Sequence, residues 1–205
     1  MDLSELIRSN LTAVVTMELQ RAVVGDLAVF PDLRDAAVGA GVVENAGRLC
    51  AAARSSGASV VHCTAEFRPD RRGSALNSRI LVAAQKLNGD RLDVGNPGTE
   101  LVAALDQQPG DLVVARSHGL TPFTSTELDQ VLRNCGVQTI VVAGASLNVG
   151  VVGLVLTAVD LGYQVVVPRD AVVGVPVDYG AAMLDHTISV LATVVETDQI
   201  VAIWG

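Results

Sequence analysis

Short apolar runs recur along the chain at the spacing of strands separated by helices. Residues 11–17 (LTAVVTM), 59–63 (SVVHC), 112–115 (LVVA), 139–143 (TIVVA), 164–167 (QVVV) and 193–196 (TVVE) are rich in valine and other strand formers. Between them run helical patterns. Residues 42–56 carry an apolar stripe ending at Gly57, and Thr126-Glu127-Leu128 opens a helix to Asn134 or Cys135, stopped by Gly136. Residues 144–161 make a helix closed by Gly162, and residues 177–191 make another. Residues 67–98 break the rhythm. They are rich in Arg, Asp, Asn and Gly, irregular and too long for an ordinary connection, which marks them as a candidate functional lid.

This alternation predicts an α/β fold: a doubly wound, mostly parallel six-stranded sheet with right-handed crossovers and helices on both faces, in a single domain over residues 1–205. Such sheets bind ligands beyond the carboxyl ends of their strands, where the strand order reverses. Chemistry is therefore expected at Glu18 and Gln20, residues 64–66, residues 116–121, residues 146–150 and Asp170.

Composition sharpens the picture. The 205 residues are 50% hydrophobic, 18% charged and 3% aromatic, which suits strands buried on both faces and excludes disorder, a coiled coil and a disulfide miniprotein. A net charge of −8 opposes phosphate backbones and anionic membrane surfaces, so neither nucleic acid nor a membrane is an expected partner. Residues 134–159 lack any charge, but glycines and polar residues break them up, and a buried strand, turn and helix account for them. Lys86 is the only lysine. Cys50, Cys63 and Cys135 form no CxxC pair, and the N-terminus lacks the order of a signal peptide, which together imply a reduced, cytoplasmic protein. The three histidines are far apart, no metal motif occurs, and GxGxxG does not follow the first strand, so no metal or cofactor is expected.

Several residues offer chemistry. Glu18, at the end of an apolar strand, suits a general acid or base, or alternatively a strut for nearby backbone. In ARSHGLTPF, Arg116 could hold a substrate carboxylate and His118 could move a proton, or either could pair with an acidic neighbour. The turn Ser146 to Gly150 offers backbone amides to an anion or oxyanion, or simply packs a helix on the sheet. His62 and Cys63 alternate along a strand and point to opposite faces, so they form no dyad. Cys50 and Cys135 read as small buried hydrophobes, and Asp70, Arg71 and Arg72 as a solvated charge run.

Across nearly the whole chain the motifs resemble one family. LTAVVTMELQRAVV, VVHCTAEFRPD and, most specifically, residues 115–174, with TELDQVLRNCGV, a GAS turn, TAVDLGY and a strand ending in RDA, are similar to the isochorismatase-like hydrolases, most of which are cysteine hydrolases. The resemblance implies a doubly wound parallel sheet and places the catalytic aspartate, lysine and cysteine at Glu18, at Arg116 or Ser117, and at Gly150. True isochorismatases also resemble this chain in carrying glycine at the cysteine position. The expectation is a hydrolase without a cysteine nucleophile, acting on a small anionic substrate through Glu18, Arg116 and the Gly150 turn, with Glu66, His118, Phe123, Ser146 and Asn148 at the substrate. The alternatives are a catalytically silent member that binds a small molecule or serves in assembly, and an enzyme with a relocated nucleophile such as Cys63. Sparse charge on surface helices such as residues 177–191 predicts a homo-oligomer.

Overall fold

Valine-rich runs become strands because helices cover them on both sides. The computed structural model describes residues 2–205 and contains β1 (Thr12–Met17), β2 (Ser59–Ala65), β3 (Leu112–Arg116), β4 (Thr139–Ala145), β5 (Gln164–Pro168), β6 (Val172–Val173) and β7 (Thr193–Val195). The main order is β3-β2-β1-β4-β5-β7, and every paired strand is parallel to its neighbour. Six strands match the pattern above. The seventh, β6, is two residues long and extends β4 beside Gly144 and Ala145.

Helices are α1 (Leu3–Leu6), α2 (Pro31–Gly39), α3 (Val42–Ser56), α4 (Arg79–Asn88), α5 (Pro122–Ser125), α6 (Leu128–Asn134), α7 (Val152–Asp160), α8 (Val177–His186) and α9 (Thr197–Trp204). Side-chain alternation in the sheet separates two cores. Val14, Val141 and Ala143 pack with α3 and α9, whereas Ala13, Val15, Ile140 and Val142 pack with α6, α7 and α8. The sheet is thus doubly wound. Gly57 closes α3 in the left-handed conformation, as its position predicts.

Some expectations need correction. The stretch 67–98 is not irregular throughout, because α4 lies within it, with Ser78 capping its first turn through the Leu81 amide. Helices α2 and α9 arise where no helix was expected. Helix formation after β4 begins with one wide turn, Leu147–Val151, before α7, and the pattern over 177–191 splits into α8 and a short turn, Ile188–Val190. Cys135 is exposed beside Gly136 at the end of α6, whereas Cys50 and Cys63 are buried. Among the described residues, no helix is long and apolar enough to cross a membrane.

The order reverses between β1 and β4, which leave the sheet in parallel with Met17 opposite Gly144. That approach is very close. A Cβ on Gly144 would lie 2.2 Å from the Met17 carbonyl oxygen, and φ there is +133°, so only glycine fits. The two chain ends that bound the reversal point therefore emerge side by side.

His62 lies on the opposite face of β2 from Cys63 and is fully buried in a polar chain. Thr16 Oγ1 and His62 Nδ1 are 2.8 Å apart, His62 Nε2 and Asp111 Oδ2 are 3.3 Å apart, and Arg54 donates to both Asp111 oxygens at 3.0 and 2.7 Å. Burial pushes the imidazole below its ordinary value against the pull of Asp111. Burial opposes the charge on Asp111, but hydrogen bonds from Arg54 and the Gln108 amide outweigh it and hold that carboxyl low. Both groups bind a proton less readily when folded. Their contribution is complete above the unfolded values, 6.5 for His62 and 3.8 for Asp111, and is lost as pH falls below them. The urea midpoint is therefore expected to decline from about pH 7 to pH 5 and to drop again near about pH 4. His62→Gln should be less stable at neutral pH yet lose most of the upper decline; an unchanged decline would assign it to other groups.

Candidate active site

Beyond the carboxyl ends of β1, β3 and β4 lies a cavity of about 390 Å³. Met17, Glu18 and Arg116 line it from the sheet edge, and Ser146, Asn148 and Gly150 from the turn after β4. The start of α2 contributes Phe30 and Leu33, and α4 contributes Leu81, Ala84, Gln85 and Asn88.

Glu18 is the first residue beyond β1. Its amide still donates to the Cys63 carbonyl at 2.9 Å, but its backbone turns into the left-handed region at φ +50°, at a cost of about 1 kcal/mol for a residue with a Cβ. Arg116 ends β3, two strands away, and its guanidinium bridges that gap. Arg116 Nε donates to Glu18 Oε1 at 2.8 Å, Nη2 donates to the same oxygen, and Nη1 donates to the Gly119 carbonyl at 2.6 Å. The side chains are 8% and 16% exposed, so the pair is largely withdrawn from water. Such a pair is held firmly because removing either charge strands the other.

A second cation lies nearby. Arg71, expected in a solvated run, instead lines the cavity, pairs with Asp93 and donates to the Gly89 carbonyl at 2.7 Å. Phe67 receives both guanidiniums, with Arg71 at 5.0 Å and Arg116 at 5.9 Å from its ring centroid. A basic run after a strand has the same composition whether it is solvated or folded back, so the sequence does not reveal that Arg71 and Phe67 meet at the cavity. Gln20 supports the floor from below: its side chain bonds to the Ala65 amide and to the Ala65 and Thr99 carbonyls at 2.7, 3.1 and 3.0 Å.

At Gly150, a Cβ would lie 2.6 Å from the Met17 terminal methyl. The room for a side chain there is filled by the thioether. Ser146 Oγ donates to Asn148 Oδ1, and Asn148 Nδ2 donates to the Val175 carbonyl at 3.0 Å, which braces the turn. The amides of Val149 and Val151 both turn inward to the Ser146 carbonyl at 3.1 Å.

The structure thus brings together Glu18, Arg116, Ser146, Asn148 and Gly150. It places three other expected residues outside the cavity lining. Glu66 accepts a hydrogen bond from Thr64 Oγ1 at 3.0 Å, His118 is exposed, and Phe123 is buried against Tyr163 with ring centroids 5.8 Å apart. Asp170, also marked by its position after a strand, accepts from the Thr197 amide and hydroxyl at 2.9 and 2.8 Å and anchors α9. Cys63 is buried beneath the cavity floor, and burial, reinforced by the Glu18 charge, pushes its thiol well above the ordinary range. That environment disfavours the thiolate that a nucleophile would need. Among the described residues, no group of three or more His, Cys, Asp or Glu side chains could hold a metal ion.

Comparison with known proteins gives a consistent picture. A family model described as the isochorismatase domain matches residues 12–199. A ureidoacrylate amidohydrolase of Pseudomonas syringae is 29% identical over 177 residues, covering 78% of this chain and 69% of that protein. A maleamate amidohydrolase of Pseudomonas putida is 28% identical over 130 residues, covering 63% of this chain and 59% of that protein. Among solved structures, an isochorismatase family protein of Burkholderia thailandensis superimposes with a TM-score of 0.77 at 26% identity, covering 95% of this chain and 96% of that one. A cysteine hydrolase of Pseudomonas syringae pv. phaseolicola shares the fold with a TM-score of 0.79 at 23% identity, covering 97% and 94%.

The Met17 contact makes Gly150 a packing position as well as a site position. Gly150→Ala is expected to destabilise the chain by about 1–3 kcal/mol in urea unfolding, because the new methyl overpacks against Met17. In a Met17→Ala background the same change should cost much less, since the opposing group is gone. Equal costs in the two backgrounds would show that the thioether does not occupy that space.

Proposed function

Because the chain belongs to the isochorismatase family of hydrolases, we propose that it adds water to a small substrate without forming a covalent enzyme adduct. Glu18 serves as general acid or base, and Arg116 orients and balances it. The observation that carries this reading is the grip on Glu18: two Arg116 nitrogens hold Oε1, and among the described residues no donor reaches Oε2, which is left for water or substrate. In such a step a water oxygen bonds to the substrate carbon, its proton passes to Glu18, and the proton is returned to the departing oxygen or nitrogen. Arg116 exchanges no proton, since a guanidinium stays charged. Gly150 contributes no nucleophile, and Ser146 and Asn148 shape the wall beside it.

The expectation of an anionic substrate leaned on Arg116 as a free guanidinium. Arg116 is engaged by Glu18 and the Gly119 carbonyl, and Arg71 by Asp93, so both lining cations are already balanced. An uncharged substrate fits this cavity better. The names of the two relatives put amides first among the compounds to test, and because ureidoacrylate and maleamate each carry a carboxylate, amides with and without one belong in the comparison.

One observation favours a second reading. Gly150 and Arg116 stand where the family resemblance puts a cysteine and a lysine, yet the cavity keeps about 390 Å³, as a small-molecule binding protein without catalysis would require. Self-association belongs to the proposal as well: Val177, Tyr179 and Val190 are 61%, 55% and 77% exposed on and beyond α8, and sedimentation at micromolar concentration should show a species larger than a monomer. So do a single domain over the whole chain and a cytoplasmic location.

The direct test is a hydrolysis screen of small amides, with and without a carboxylate, and of enol ethers, with the parent, Glu18→Gln and thiol-alkylated protein. Glu18→Gln is expected to lose at least about 100-fold in rate, and alkylation to leave the rate unchanged. Full activity in Glu18→Gln would remove that residue from catalysis. Binding without turnover by the parent would favour the second reading.

A further inference from the structure

Helix α4 carries two buried carbonyl oxygens with no hydrogen-bond partner. Its cavity side is apolar at Leu81 and Ala84, but Gln85 and Asn88 sit among them, one turn apart. Asn88 is 5% exposed; its Nδ2 donates to the Ala84 carbonyl at 3.0 Å, while its Oδ1 is buried with no partner. Gln85 Oε1 is buried and unpartnered too. Buried acceptors are nearly always paired, and leaving one unmade costs the folded chain free energy. The nearby donors are spent elsewhere. Arg91 Nη1 bonds to the Asn88 backbone carbonyl rather than its side chain, at 3.2 Å, and Arg71 is held by Asp93 and the Gly89 carbonyl.

We propose that the α4 wall is a specificity subsite for a hydrogen-bond donor, so that the ligand is a small uncharged molecule whose apolar body carries a hydroxyl or amide N–H received by the side-chain carbonyls of Asn88 and Gln85. This rests on the cavity being the substrate site. Both oxygens are covered from solvent, so a donor reaches them when the amide groups rotate toward the cavity that the two side chains already line. A carboxylate brings only acceptors to a wall of acceptors. An ammonium finds no carboxylate on the α4 wall: Asp32 lines the cavity at the start of α2, where it is exposed to water, and Glu18 is already paired with Arg116.

Two matched pairs of probes separate the possibilities: benzyl alcohol against benzyl methyl ether, and benzamide against N,N-dimethylbenzamide. Each is titrated by amide NMR into the parent, Asn88→Leu and Gln85→Met, with the Ser146 and Gly150 amides reporting the cavity. The donor-bearing member of each pair should bind the parent at least about fivefold more tightly, and the preference should shrink toward unity in both variants. Asn88→Leu should also raise the melting temperature by about 2 °C, because an unpaired acceptor is removed; a structural role for the amide would lower it. Equal binding within each pair, or a preference that survives in both variants, would overturn the donor subsite while leaving the cavity reading intact. Should no probe move the Ser146 or Gly150 amides, the cavity reading and this inference would fall together.

Discussion

The site is organised by one ion pair that spans the sheet. Glu18 leaves β1 and Arg116 ends β3, with β2 between them, and the guanidinium closes the distance by placing two nitrogens on a single carboxylate oxygen. Everything around the pair is compatible with that bridge. Glu18 accepts a left-handed backbone to reach it, the Gly119 carbonyl takes the remaining arm of Arg116, and Phe67 lies beneath the guanidinium. Because both side chains are mostly buried, each charge depends on the other as its main partner, with only Glu18 Oε2 left for water or substrate.

The same pair accounts for the character of the cavity. A guanidinium keeps its proton, so Arg116 balances the Glu18 carboxylate without exchanging a proton with it. At Gly150 the Met17 methyl occupies the space that a Cβ would take. Arg71 with Asp93 repeats the motif of a balanced pair on the other side of Phe67. What remains open to a ligand is a largely apolar space whose two arginines are paired with carboxylates, with Asp32 at the exposed start of α2 and the amide side chains of Gln85 and Asn88 on α4.

Much of this was legible in the sequence because strands buried on both faces leave an unmistakable valine pattern, and their ends mark the functional edge. Glu18, Arg116, Ser146, Asn148 and Gly150 all follow from that geometry. Other features were hidden for physical reasons. Helix α4 faces the cavity with Leu81 and solvent with Val82 and Leu87, so its apolar residues form no single stripe. Arg71 is polar by type but folds back onto an aromatic ring, which local composition does not reveal. Phe123 follows β3 in sequence like a substrate contact, yet from α5 it packs on Tyr163 in the core, and His118 is exposed to water. Residue type and position after a strand locate an edge; which side chains turn inward there depends on partners far away in sequence.

The measurement that bears most directly on this account is a double-mutant cycle on the bridge, with unfolding free energies for the parent, Glu18→Gln, Arg116→Met and the combination. A pair that organises the site predicts that each single change is costly and that the two costs overlap, with a coupling of about 2 kcal/mol. Additive costs, with coupling below about 0.5 kcal/mol, would mean that the two residues are neighbours without mutual dependence, and the ion pair would no longer explain the site.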